Sequence, residues 1–332
     1  MTSSKSHITQ YPLIKMQHPF TTEEKHRICD LLENRFQNST FYRPNGGAND
    51  GRGKFGVSIG LIAADMTYFL NRTWIQKDNY GPSKWQHVAQ QIGYQRHAHL
   101  EWRTAETHVY KYITTQLTLA KDSAMTGIVV DDAGIGKTHA AKEFAQNNTG
   151  VIYIDCSVHC RKCDFIRELA KKVGVEPNQK LTQLESAAIY GIQMMDAPLI
   201  ILDEAGDLEN TTLLVVKRLF NALEDSCGIV MIGSDGLRSR LERGVQYRKL
   251  GYTEVYSRFG KRFNRATPVK VDEKVSLFKK MALEMALANG IEDKSQLEML
   301  ENMMLQPDKS FSDMRGAKRK ILGLKKRNAQ PA

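Results

Sequence analysis

No run of about 18 apolar residues interrupts the chain, so no transmembrane helix is expected. The opening stretch, residues 1–16, lacks the apolar centre of a signal peptide. Cysteine is scarce: five residues, an odd number thinly spread, cannot build a disulfide scaffold and fit a reducing compartment. No internal repeat is visible. These absences predict a cytoplasmic protein with no membrane partner. What is present is ordinary globular composition, 41% hydrophobic and 25% charged, which excludes collagen-like, mucin-like and fully disordered chains. At roughly 100–200 residues per domain, 332 residues predict two or three domains with a core that needs no staples. Lys plus Arg number 47 against 37 Asp plus Glu, a net charge of +10. That favours a polyanionic partner without choosing between nucleic acid, a lipid surface and a nucleotide.

The first hundred residues differ from the rest. They carry Trp74 and Trp85, with Trp102 just beyond, and a glycine-rich stretch, 43–56, that reads as a loop. From about Thr104 short apolar runs alternate with helical patterns. Residues 128–130, 151–154, 199–202 and 229–232 are candidate buried strands. Between them 138–146, 163–173, 181–195 and 211–224 read as helices. Such alternation implies a parallel sheet covered on both faces. After Val271 the strands cease, and 273–289, 295–304 and 312–326 read as a small helical domain.

Residues 128–138 read IVVDDAGIGKT and precede a helix. Gly134 and Gly136 let backbone N–H groups close around phosphate oxygens, at the positive end of that helix. Lys137 would reach the β- and γ-phosphates and Thr138 would hold Mg²⁺. Ala133, Ile135 and His139 complete the candidate ATP-binding segment. One residue departs from the P-loop pattern: position 131 is Asp where glycine is usual, and its charge is expected to weaken phosphate binding. After Pro198, the run Leu-Ile-Ile-Leu-Asp-Glu ends a buried strand in two acids, where ligands sit in parallel sheets. Asp203 would order Mg²⁺ through water and Glu204 would polarise the attacking water. The strand at 228–233 presents Ser234 to the γ-phosphate or the water. Cys156, His159, Cys160 and Cys163 have the spacing of neither paired zinc knuckle and read as small buried or loop residues.

On DAGIGKT, LIILDEAGDL, the helix end NALED leading into GIVMIGSD, and Tyr256-Ser257-Arg258, residues 106 to about 271 resemble the AAA+ ATPases. More narrowly they resemble the transposition regulators of the MuB, TnsC and IstB type, closest to MuB-like proteins. The resemblance implies an α/β P-loop core with strand order 5-1-4-3-2 and a helical lid. It implies assembly of a homo-oligomer, a helical filament or ring, on double-stranded DNA when ATP is bound. It also implies recruitment and stimulation of a transposase. Arg258 is similar to the arginine that completes a neighbouring subunit's site, with Arg240 and Arg262 as competitors. Ser312-Asp313-Met314-Arg315 resembles the sensor-2 segment, placing Arg315 on the nucleotide.

Two features suggest DNA contacts. Residues 58–74 read as a helix-turn-helix with Met66, Phe69 and Leu70 inward and Thr67, Tyr68, Asn71 and Arg72 facing DNA. On the core, Arg161 and Lys162 follow the second strand, and Lys217 and Arg218 lie on the helix after Glu204; their contacts would be to phosphate. Residues 315–327 hold seven Lys or Arg and no acid, a solvated helix face or a contact for DNA or the transposase. The expected division is 1–56 as arm and loop, 57–103 as helix-turn-helix region, 104–271 as AAA+ core, and 272–332 as lid with basic tail. A helicase loader of the DnaC type and an ATP-switched, sequence-specific DNA-binding regulator are the alternatives.

Overall fold

The structure is a computed structural model. It describes residues 20–44, 50–61, 63–77, 81–94, 102–176, 178–303 and 313–328. The N-terminal part packs α1 (Thr22–Gln37), α2 (Arg52–Ser58), α3 (Ala63–Leu70), α4 (Thr73–Lys77) and α5 (Pro82–Gln91) around one apolar cluster. In α1, Ile28, Leu32 and Phe36 recur at helical spacing and are buried, and the Thr21 and Glu24 side chains cap each other's backbone N–H at its start. Phe69 meets Trp85 edge to face at 5.1 Å. The glycine-rich stretch is a loop only in part, because Arg52 onward is helical. Asp50 accepts a hydrogen bond from the Arg52 N–H at 3.0 Å, and Phe55 is drawn into the core. Gly51 has φ +93°, and a Cβ there would collide with the Phe41 carbonyl. The expected break at 56/57 therefore falls between Phe55 and Met66, residues of one cluster.

The second part runs α6 (His108–Asp122), β1 (Thr126–Val130), α7 (Lys137–Asn147), β2 (Val151–Asp155), α8 (Lys162–Val173), α9 (Leu181–Gln193), β3 (Leu199–Asp203), α10 (Asn210–Leu223), β4 (Gly228–Gly233), α11 (Asp235–Gln246) and α12 (Tyr252–Arg258). The helices α13 (Val271–Ala288), α14 (Lys294–Met303) and α15 (Met314–Asn328) form the lid. All strand pairs are parallel, in the order β1-β4-β3-β2. Every residue of β3 and β4 is buried. Side chains alternate between faces: Ile200, Leu202, Ile229 and Met231 pack with α8 to α12, whereas Leu199, Ile201, Val230 and Ile232 pack with α6, α7 and the lid. Beyond β1, where a fifth strand is expected, the chain makes a single parallel bridge. The Val130 N–H donates to the Asn264 carbonyl at 2.9 Å and the Asn264 N–H to Ile128 at 2.8 Å. In α15, Met314, Ala317, Ile321 and Leu324 are buried and fix the lid on the core side away from α8. No helix among the described residues is long and apolar enough to cross a membrane.

Candidate active site

Four strand ends and the lid converge on one cavity of about 560 Å³. The loop after β1 supplies its floor. Gly134 and Gly136 take φ of +76° and +105°, and Gly136 caps α7, so the free N–H groups and positive end of that helix point into the loop. A Cβ on Gly136 would project into open space, whereas one on Gly134 would strike Asp313. The Met314 N–H donates to the Gly134 carbonyl at 3.0 Å, so the first turn of α15 rests on the loop and carries Arg315 to the cavity. Lys137 is buried, and its ammonium donates to the Asp131 and Asp132 carbonyls at 2.9 and 2.6 Å. Burial lowers its pKa, and the charges of Asp131, Glu204, Asp203 and Asp132 oppose that shift.

From β3 come the two acids. One Asp203 oxygen accepts from the Tyr153 hydroxyl at 2.7 Å and the other from the Glu204 N–H at 3.1 Å. This fixes the carboxylate against the floor. Glu204 sits at φ +50°, in the left-handed region, which turns its side chain out of the strand at a cost of about 1–3 kcal/mol. Burial raises the Glu204 pKa, and neighbouring Asp203 raises it further. Ser234 caps α11 directly after β4 and lines the same cavity, as do Ala133, Ile135, Thr138 and His139. The His139 ring bonds Thr104 at 2.9 Å, and burial lowers its pKa. The sequence reading missed the apolar wall: Trp102, Tyr110, Met281, Met285 and Met314 line the side of the cavity beneath the lid. It also missed Tyr153, whose partner Asp203 lies on the adjacent strand.

Asp131 also has a structural role. Its side chain is fully buried, and one of its oxygens accepts from the Asp132 N–H at 2.8 Å. It accepts from the Ala266 and Thr267 N–H groups, both at 2.8 Å, and from the Thr267 hydroxyl, with Arg265 at 3.3 Å. Asp131 does not adopt the positive φ for which glycine is used. Next to it, Asp132 pairs with Arg265 at 2.7 Å and with Lys274 at the start of α13 at 2.6 Å. The acids therefore tie the loop to the 264–267 segment and the lid.

Other candidates lie elsewhere. Arg258 stands outside the cavity, donating to Asn221 at 2.8 Å with its guanidinium over the Phe220 ring at 5.4 Å. Arg240 and Arg262 do not line the cavity either. Of the core residues assigned to DNA, Arg218 grips Glu185 through two nitrogens at 2.7 and 2.9 Å, and Lys217 pairs with Glu254 at 3.2 Å. Arg161 stands 3.7 Å from Glu209, and Lys162 is exposed at the start of α8. In the N-terminal part, α3 ends at Leu70, so Asn71 and Arg72 follow the helix instead of lying on it. Arg72 has φ +55° and its charge is paired with Asp30 and Glu33 at 2.6 and 2.9 Å. Thr67 accepts from Arg52, and Tyr68 is exposed against Trp74. Ser312 lies outside the described residues. No group of three His, Cys, Asp or Glu is placed to hold a metal among the described residues, the Cys156–Cys163 segment included.

Comparison with known proteins gives the same picture. The AAA domain family matches residues 119–241. A parallel sheet with the order 1-4-3-2, a phosphate loop and two acids at the end of β3 define an AAA+ ATPase fold. Within that class the chain is similar to proteins of phage Mu and its relatives. The ATP-dependent target DNA activators B of Escherichia phages D108 and Mu are each 27% identical to it over 210 residues, 62% of this chain and 62% of theirs. The DNA transposition protein B of the Mu-like prophage FluMu of Haemophilus influenzae is 26% identical over 172 residues, 50% of this chain and 58% of its own. The chain thus matches somewhat less than two thirds of the length of these curated relatives. A solved structure of the Aeropyrum pernix ORC1 protein in complex with DNA aligns with 70% of this chain and 63% of its own, at 12% identity and a TM-score of 0.47.

Proposed function

We propose that the protein binds and hydrolyses ATP with Mg²⁺, assembles on double-stranded DNA as a filament or ring, and selects target DNA for a transposase in the cytoplasm. The observation that carries this reading is the single cavity joining Lys137, Thr138, Asp203, Glu204, Ser234 and Arg315. The donor set fits the groups assigned to it: positive-φ glycines, a helix N-terminus and a lysine suit phosphates, and a hydroxyl beside a pre-oriented carboxylate suits Mg²⁺. Mg²⁺, when bound, neutralises charge on the β- and γ-oxygens. Lys137 moves from the Asp131 and Asp132 carbonyls to phosphate oxygens. Glu204, its pKa raised toward that of a useful base, accepts the proton of the attacking water as the terminal phosphoryl bond breaks to give ADP and phosphate. Ser234 orients the water or the γ-phosphate. Arg315 contacts the nucleotide from the lid. Arg258, remote from its own cavity, stabilises the charge at a neighbour's site, which makes hydrolysis depend on assembly. The names of the relatives support the DNA role, as ATP-dependent target DNA activators, and a part in transposition, as a DNA transposition protein. Footprinting on duplexes of unrelated sequence tests the reading. Protection of every sequence with ATP and of none without it is the expected result; protection of one short site alone would favour the sequence-specific regulator.

A further inference from the structure

Beside the turn that follows Glu204 lies a second concavity of about 560 Å³, lined by Asn210, Ser239, Arg240, Arg243, Lys249 and Tyr252. Three of these side chains are cations and none of its lining residues is acidic. The Arg243 and Lys249 side chains are exposed and make no hydrogen bond or ion pair among the described residues. This sets them apart from Arg218, Lys217, Arg161 and Arg72, each of which faces a carboxylate. Tyr252 donates to the Asn210 side-chain oxygen at 2.6 Å, so the Asn210 amide nitrogen and the Ser239 hydroxyl remain as donors beside the cations. An open concavity with uncompensated positive charge and neutral donors suits a phosphodiester, whose oxygens enter while sugar and base stay outside.

We propose that this pocket holds a backbone phosphate of the duplex and transmits its presence to the ATP site; the proposal rests on the DNA-dependent reading above. The route is short. Arg240 donates to the Gly206 carbonyl at 2.6 Å, and Gly206 lies two residues after Glu204, in the tight turn Ala205–Asp207. Arg240 also contacts Asn210 at 3.2 Å and Tyr252 at 3.1 Å. It shares α11 with Arg243, and Ser234, the cap of α11, lines the nucleotide cavity. A phosphate drawn in by Arg243 and Lys249 therefore meets Arg240, which fixes the turn that presents Glu204.

The test uses the full chain and a duplex of random sequence with ATP. The affinity is measured against salt, along with the ratio of hydrolysis rates with and without duplex. Each neutralised phosphate contributes about 0.9 to the log–log salt slope. Arg243→Gln with Lys249→Gln should flatten the slope by roughly 0.9 for one phosphate held by both and by up to about 1.8 for two, and should reduce the acceleration by duplex. The charge-keeping pair Arg243→Lys and Lys249→Arg should keep the slope. An unchanged slope in the glutamine pair, with wild type still binding duplex, overturns the pocket and leaves ATP-dependent DNA binding standing. An unchanged slope with hydrolysis lost even at saturating duplex assigns the pocket to a nucleotide on a neighbouring copy and also overturns it. Failure of wild type to bind duplex overturns both readings.

Discussion

Replacing Asp131 with glycine restores the residue usual in a P-loop, yet the structure predicts a less stable protein with no better site. The Ala266 and Thr267 N–H groups donate to one Asp131 oxygen, and all three residues are buried. Glycine removes both oxygens: these two buried N–H donors lose their acceptor, at about 1–3 kcal/mol each, while the Thr267 hydroxyl, which can rotate, and the part-buried Asp132 N–H lose theirs at smaller cost. Arg265 keeps Asp132 at 2.7 Å, so its charge is not orphaned and adds little to the loss. The expected destabilisation is therefore about 2–6 kcal/mol, a large share of the stability of a folded domain. Asp131→Asn keeps one acceptor oxygen and should lose less. Urea unfolding of the full chain reads the stability, and titration with a labelled nucleotide reads the site. Nucleotide affinity should not rise, because the carboxylate orders the loop, holding the Asp132 N–H with one oxygen and the Ala266 and Thr267 N–H groups with the other. Unchanged stability together with tighter nucleotide binding in Asp131→Gly would refute the argument and return Asp131 to the role of a compromised P-loop glycine.

Glu204→Gln should retain nucleotide and hydrolyse it slowly, leaving persistent DNA complexes; turnover equal to wild type would remove Glu204 as the base. Because burial and Asp203 raise the Glu204 pKa, wild-type hydrolysis should fall on acidification from a higher pH than an ordinary glutamate would give, as protonation removes the acceptor. Tyr153→Phe takes the donor from Asp203 and should raise the Mg²⁺ concentration for half-maximal hydrolysis by about tenfold, the size seen when partners of metal ligands are removed; an unshifted Mg²⁺ curve would limit Tyr153 to packing. Arg258→Ala should bind nucleotide but hydrolyse it poorly, and mixing it with Lys137→Ala should restore some activity at hybrid interfaces. Activity restored by excess DNA and not by mixing would place Arg258 on DNA and the finger at Arg262 or Arg240.

The four strands were legible because each is a short, continuous β-branched or leucine-rich run, the pattern of a strand buried on both faces. The phosphate loop and the acids after β3 were legible because their geometry is local. What depended on distant partners was not. Asp131 reads as a defect until Ala266 and Thr267, remote in sequence, are seen to donate to it. The methionine wall carries no local pattern, since Met281, Met285 and Met314 lie on two lid helices. Arg72 looked available for DNA because Asp30 and Glu33 lie on a helix that was not anticipated. That helix, α1, was within reach: Thr21 with Glu24, followed by Ile28, Leu32 and Phe36, is a capping box ahead of an apolar stripe. The glycines at 46, 47, 51 and 53 concealed α2, whose formation depends on Phe55 entering a core shared with Phe36 and Phe41 from earlier in the chain and Met66 and Trp85 from later.

Electron microscopy of the full chain with a random-sequence duplex, in ATP, in ADP, and with Lys137→Ala in ATP, tests the central claim most directly. The cavity that joins Lys137 to Asp203 and Glu204 predicts ordered protein coats on DNA with wild type in ATP, and bare DNA in ADP and with Lys137→Ala. Coats that form equally in all three conditions would show that the cavity does not control assembly, and bare DNA in all three would show that the chain does not assemble on duplex at all.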